Sequence, residues 1–340
     1  MPRVRINDVA AAAGVSNATV SLVLNNAESR ISETTKQRVR EAARAVGYAP
    51  NSVARGLRTQ RTKTIGLISD EIATTPYAGR MLAGAQDVAR EHGYLLFLLD
   101  TGGEEGIERD AISALVSQQV DAMIYARMWH RVVDDVPAEL PPGTVFLDCR
   151  PALGGFPSVV PDDRRGGASA VRELILAGHR RIAYIDTSDP APIASGLRFE
   201  GYLEALSEAG ISPDPELHVK AETSAQGGRL AAQTLFDLPS DQRPTAIFCF
   251  NDRMAAGVYN AAHRRGLDIP RDLSIVGYDD QQLIAAEQDP PLTTIALPHY
   301  AMGRWAMEVA LGVRAGGEED ATHLMECPVI RRDSVGPPPA

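Results

Sequence analysis

At 340 residues, 44% hydrophobic and 23% charged, the chain is long enough for two or three domains with full cores. Its net charge of -10 is unevenly spread: residues 1–61 hold ten Lys/Arg against four Asp/Glu, a net of +6, while the remainder holds 24 against 40, a net of -16. A basic head on an acidic body suits one surface that meets a polyanion and another that like charge keeps away from it.

Cys149, Cys249 and Cys327 are far apart and form no C-x-x-C pair, so neither a disulfide framework nor a zinc site is expected. No apolar run reaches membrane-spanning length and the first residues carry no signal-like apolar stretch, so a cytoplasmic protein without a membrane partner is expected.

The head reads as three short helices. Ile6, Val9, Ala10 and Ala13 share one helical face, and Gly14 supplies the left-handed stop. Ser16 caps a second helix, Asn17 to Leu24, with Val20, Val23 and Leu24 inward and Asn17, Ala18, Ser21 and Leu22 outward. Ser32 caps a third helix to about Val46, with Val39, Ala43 and Val46 inward and Gly47 closing it. The first two helices, joined by a Gly-containing turn, make a helix-turn-helix, whose second helix is suited to a major groove.

From Thr64 the pattern changes. Apolar runs at Ile65–Ile68, Leu95–Leu99, Ala122–Tyr125, Val145–Leu147, Ile182–Ile185, Ala246–Phe250 and Ser274–Val276 alternate with amphipathic stretches, the signature of βαβ units with parallel sheets. Gly93, Gly178, Gly210 and Gly266 each stand where a helical stretch ends. Two such sheets, open at their strand C-termini, place a ligand in the cleft between them.

The run Ile6-Asn-Asp-Val-Ala-Ala-Ala-Ala-Gly-Val-Ser-Asn-Ala-Thr-Val-Ser-Leu-Val-Leu-Asn25, with Thr35-Lys-Gln-Arg-Val39 and Gly47-Tyr-Ala-Pro-Asn-Ser-Val-Ala-Arg-Gly-Leu57, closely resembles the lactose-repressor (LacI/GalR) family. The resemblance implies an all-α helix-turn-helix domain at 1–50, a hinge helix and linker at 51–63, and an α/β effector domain at 64–335 that resembles the periplasmic sugar-binding proteins. Within that domain it implies one subdomain at 64–161 with 292–321, another at 162–291 with 322–335, and crossovers near Pro161, Pro291 and Thr322.

By the same resemblance Asn17, Ala18 and Leu22 read bases, while Ser16, Thr19, Ser21 and Asn25 contact phosphates or fix the helix. An Asn amide can bond adenine N6 and N7 together, whereas Ala18 and Leu22 offer apolar contact such as that with a thymine methyl. Leu22 and Arg5 depart from the family's usual residues, Arg5 standing where a Thr or Ser cap is common and offering a phosphate contact instead. The segment Asn51, Ala54, Arg55 and Leu57 is too short and Gly-containing to be a stable helix alone. The family reading makes it a hinge helix that forms when two protomers sit on DNA, with Leu57 wedged between minor-groove bases and Arg55 nearby.

Polar residues just after strands are the ligand candidates: Tyr125 and Arg127, Asp148 and Arg150, Arg198, Asn251 and Asp279. In the family Arg198, Asn251 and Asp279 hold positions that bond ligand hydroxyls, and Asp148 one that often does. Tyr77, Thr223 and His299 fall where its ligand contacts vary. Arg127 and Arg150 serve either an acidic ligand or ion pairs with nearby acids. Trp129 is a candidate for stacking on a sugar face, while Trp305 sits at core spacing.

No Gly-x-Ser-x-Gly elbow, P-loop, His-Glu-x-x-His or clustered His appears, and no cofactor is called for. The expectation is therefore a homodimeric, sequence-specific repressor binding a palindromic operator and controlled by a sugar or sugar derivative. A solute-binding protein for a transporter would explain the body but not the basic head.

Overall fold

The computed structural model describes residues 4–24, 31–48, 61–72, 75, 79–189, 193–316 and 322–339. Contacts divide the chain into two compact units, Met1–Thr62 and Lys63–Ala340.

The first unit holds α1 (Ile6–Ala13), α2 (Asn17–Leu24) and α3 (Glu33–Ala45). At the start of α1 the Arg5 amide donates to the Asp8 carboxylate at 2.7 Å, so Asp8 reaches back to satisfy an N-terminal donor. Gly14, at φ +62°, lets the chain reverse: its successor Val15 donates to the Ala10 carbonyl at 3.1 Å and closes the last turn. The Ser16 hydroxyl then accepts the Thr19 amide at 3.2 Å to open α2, and Ser32 accepts the Thr35 amide at 3.3 Å to open α3. Val9, Ala10, Ala13, Val20, Val23, Val39 and Ala43 make one core, against which Ile6, Leu24 and Val46 pack half-buried.

In the second unit the first sheet contains β1 (Thr64–Ser69), β2 (Leu95–Asp100), β3 (Ala122–Val133), β4 (Val145–Pro151), β5 (Ser158–Pro161) and, late in the chain, a strand at Thr322–Met325, in the order β2-β1-β3-β4-β5-(Thr322–Met325), all parallel. Its helices are α4 (Gly79–Glu91) and α5 (Glu105–Ser117). The chain then builds α6 (Asp163–Leu176), β6 (Ile182–Thr187), α7 (Ile193–Glu208), β7 (His218–Ala221), α8 (Ala225–Phe236), β8 (Ala246–Cys249), α9 (Asp252–Arg264), β9 (Ser274–Asp279) and β10 (Thr293–Ala296). After α10 (His299–Ala310) come β11 (Thr322–Met325) and β12 (Val329–Ile330). The second sheet runs β7-β6-β8-β9-β10-β12, parallel except for the antiparallel β12.

The crossings differ from the expected ones. Thr293–Ala296 pairs with β9 through Thr293 opposite Val276, so the chain returns to the first sheet at Leu297-Pro298, not at Pro291. Thr322 opens a strand paired with Ser158 instead of marking a crossing, and the last passage falls between Met325 and Val329. In both places every residue of a four-residue strand has a ladder partner, so the strand extends past the crossing that the family resemblance implied.

Helices α6 and α7 pack at a close crossing that needs glycine. A Cβ on Gly201 would lie 2.1 Å from the Arg164 carbonyl oxygen, and one on Gly167 would lie 2.5 Å from the Arg198 carbonyl oxygen. This approach seats the backbone of Arg198 directly over the first turns of α6. Gly93, Gly178, Gly210 and Gly266 all take positive φ at helix ends.

Candidate functional site

On the first unit, the side of α2 away from Val20 and Val23 presents Ser16, Asn17 and Ala18 to solvent, and Leu22 stays 41% exposed. An apolar side chain left so open on a three-helix core has no packing reason to be there, and it suits contact with another molecule. Asn17 Nδ2 donates to Asn7 Oδ1 at 2.8 Å, which fixes the amide on the helix surface. Thr19 is half-buried with its hydroxyl 3.0 Å from that of Ser16, Ser21 is half-buried, and Arg5 is exposed beside the start of α1. Asn25, Asn51, Ala54, Arg55, Leu57 and Tyr77 lie outside the described residues.

The second unit has a narrow, nearly closed cleft at the strand C-termini of both sheets, with about 20 Å³ of free volume. One wall comes from an irregularity in β3. Ala126 pairs with Leu147, but the next pair is Arg131 with Cys149, so three more residues are spent on β3 than on β4. The excess bulges, and Met128, Trp129 and His130 hang over the cleft. Asp70 holds the bulge, its Oδ1 accepting the Met128 amide at 2.8 Å.

Asp148 lies opposite that bulge with φ +56°, a conformation that non-glycine residues rarely take. Its carboxyl is 3% exposed, lines the cleft, and has no hydrogen-bond partner on Oδ1 among the described residues. Burial, then the nearby Asp163 carboxylate, push its pKa well above the usual carboxylate range, and Arg198 only partly opposes them.

The facing wall is built around Arg198 on α7. Its Nε donates to Asp163 Oδ1 at 2.9 Å, its Nη1 donates to the Phe250 carbonyl at 2.7 Å, and its guanidinium lies 3.5 Å from the Tyr278 ring centroid. Asp279, at φ +100°, stands 3.7 Å from the same Nη1 and accepts from Gln281 Nε2 at 2.8 Å. Burial outweighs Arg198 here, so the Asp279 carboxyl is pushed up to about 6. Asp163 goes the other way: burial opposes its charge, but Arg198 and the His130 Nδ1 donor at 3.0 Å hold it below the usual range.

Asp148, Arg198, Asp279 and His299 are thus brought together on one cleft. The sequence candidates Tyr125 and Arg127 are not. The pleat turns them toward α5, where Tyr125 donates to Glu108 Oε1 at 2.8 Å and Arg127 pairs with Glu108 Oε2 at 2.7 Å. Arg150 is half-buried on β4 and does not line the cleft. Thr223 donates to the Asp189 carboxylate, and Asn251 caps α9 by accepting the Met254 amide at 2.9 Å; neither lines the cleft. Trp129 does line it, whereas Trp305 is core, stacked on His323.

Two polar residues of this site, Asp163 and His130, were not singled out from sequence. The available signal was Asp162-Asp163 directly after a strand, the same logic that marks Asp148 and Asp279.

The chemistry is that of recognition. A buried acceptor lacking a donor, a guanidinium with fixed orientation and a second carboxyl suit a compact molecule rich in hydroxyl groups.

Residues 5–51 match the family described as bacterial regulatory proteins, lacI family, and residues 171–335 match a periplasmic binding protein-like domain. The chain is 36% identical over 335 residues to the HTH-type transcriptional repressor CytR of Escherichia coli (strain K12), covering 97% of this chain and 96% of that one. It is similar to the crystal structure of the lac repressor dimer bound to operator and the anti-inducer ONPF, with TM-score 0.77, 26% identity and coverage of 98% and 99%. It is also similar to a LacI family transcriptional regulator from Enterococcus faecium with bound ribose, with TM-score 0.64, 26% identity and coverage of 81% and 99%.

Proposed function

The chain belongs to the lacI family of bacterial regulatory proteins, and on that footing we propose a homodimeric repressor that binds a palindromic operator and answers to a sugar or ribose-bearing molecule. In this reading Asn17, Ala18 and Leu22 face base edges, Arg5, Ser16, Thr19 and Ser21 flank the phosphates, and residues 51–63 form the hinge and linker. It acts in the cytoplasm by binding alone, with no catalytic step.

The observation that carries the ligand half is the orphaned Asp148 Oδ1, 97% removed from solvent and set across the cleft from Arg198 and Asp279. A buried acceptor without a donor costs about 1–3 kcal/mol, which a ligand hydroxyl would return on binding. The LacI family regulator from Enterococcus faecium solved with bound ribose supports a sugar ligand.

The test is a gel-shift titration on the DNA upstream of the chain's own gene, at rising salt, with and without ribose and ribonucleosides. Tight binding to one fragment with a steep salt dependence is expected. Failure to retain any specific fragment would refute the operator half. A retained fragment whose affinity no sugar or nucleoside alters would refute the ligand half.

A further inference from the structure

A second cavity, of about 530 Å³, lies at the opposite end of the second sheet from the cleft. Arg181, Thr245 and Leu273, the residues just before β6, β8 and β9, line it, so it sits where those parallel strands begin. Phe236, Pro244 and Leu273, all buried, form an apolar floor.

The chain's end supplies one wall, and it is tied in place. Ser334 Oγ accepts the Thr293 amide at 2.8 Å, Gly336 donates to Ser274 Oγ at 3.0 Å, and His179 Nε2 donates to the Gly336 carbonyl at 2.9 Å. Pro339 is thereby brought to the rim.

The charge of this cavity runs against its surroundings. The chain beyond residue 61 carries a net -16, yet Arg181, Arg243 and Arg265 all line this one concavity. Arg265 is offset by Asp237, and Asp272, the carboxylate of the lining, is held by Arg271. Arg181 and Arg243 have no carboxylate partner among the described residues. Each is anchored through Nε to a main-chain carbonyl, Arg181 to that of Arg243 at 2.8 Å and Arg243 to that of Leu238 at 2.7 Å. Anchoring at Nε orients the planar fork while its terminal N–H donors stay available, the arrangement that favours bidentate capture of phosphate or carboxylate. The volume falls in the range of small-molecule sites, about 300–1,000 Å³.

We propose that this cavity is a second ligand site, distinct from the cleft, that binds a small organic anion, its phosphate or carboxylate on Arg181 and Arg243 and its carbon frame on the Phe236–Leu273 floor. The proposal does not depend on the operator or the sugar reading.

The test uses the full chain and phenyl phosphate as probe, followed by isothermal titration calorimetry with inorganic phosphate in parallel. Phenyl phosphate should bind in the millimolar range or tighter, more strongly than inorganic phosphate. Arg181→Ala/Arg243→Ala should weaken both at least about tenfold, since two charge-assisted contacts are lost. Arg264→Ala, an exposed arginine on α9 outside the cavity lining, should change neither by more than about twofold. Because both deleted side chains are exposed, the double variant should melt with the wild type. Arg181→Gln/Arg243→Gln repeats the measurement should it not. Phenyl phosphate binding that survives the double substitution, or no binding to wild type up to about 10 mM, overturns the proposal.

Discussion

Replacing Asp279 with Asn removes one titrating carboxyl from the cleft while keeping its shape. Burial raises the folded pKa from 3.8 to about 6. For an acid with a raised folded pKa, the stabilising contribution is fully present below about pH 3.8 and is lost as pH rises through about 6. The whole loss corresponds to about 3 kcal/mol, of which about 1.4 kcal/mol falls between pH 5 and pH 7.5. The variant lacks this group, so the melting temperature of the wild type relative to Asp279→Asn should fall by about 3 °C across that interval. Differential scanning fluorimetry of both proteins in matched buffers, without ligand, gives the comparison directly. Subtracting one curve from the other removes the titrations that the two proteins share. Parallel curves, or a wild type that gains on the variant as pH rises, would show that Arg198 and not burial governs Asp279.

Asn17→Ala should weaken operator binding by about 1–3 kcal/mol while leaving affinity for random DNA unchanged, measured by competitive gel shift; equal losses on both would remove Asn17 from base reading. Asp163→Ala strands the Arg198 guanidinium in a buried position and should cost about 3–5 kcal/mol by denaturant titration; a loss under about 1 kcal/mol would mean the pair is not desolvated. Gly201→Ala forces a Cβ against the Arg164 carbonyl and should destabilise by about 3 kcal/mol; an unchanged melting temperature would show that α6 and α7 can separate without cost.

What could be read from the sequence was what local interactions decide. The Ile6, Val9, Ala10, Ala13 stripe and Gly14 define α1 because helix bonds and the left-handed stop involve neighbours only. The long apolar runs, such as Ile182–Ile185, define strands buried on both faces. Four-residue β5, β7, β10 and β11 and two-residue β12 escaped, since their assignment rests on partners far along the chain. Tyr125 and Arg127 show the sharper limit. Position after a strand places a residue near the cleft edge, but the pleat decides which way it points, and Glu108 on α5 drew both aside. Asp163 and His130 were missed because their meaning lies in each other, 33 residues apart.

That last pair also bears on how occupancy of the proposed ligand site would be transmitted. His130 hangs from β3 of the first sheet, and Asp163 opens α6 against the second, so their 3.0 Å bond spans the two halves, and Arg198 braces it from α7. Asp148 belongs to the first sheet and Asp279 to the second, and each holds its carboxyl in the cleft by a positive φ that costs about 1–3 kcal/mol. A ligand shifts a conformational equilibrium only by the difference in its affinity for the two states. A molecule hydrogen-bonded to Asp148 alone has no such difference, because one half of the unit moves with it. A molecule bonded to Asp148 and Asp279 together makes both contacts only when the halves are as close as His130 and Asp163 hold them. In the proposed ligand site, the strained aspartates on opposite sheets, more than any single strong contact, would couple ligand binding to the relative position of the halves.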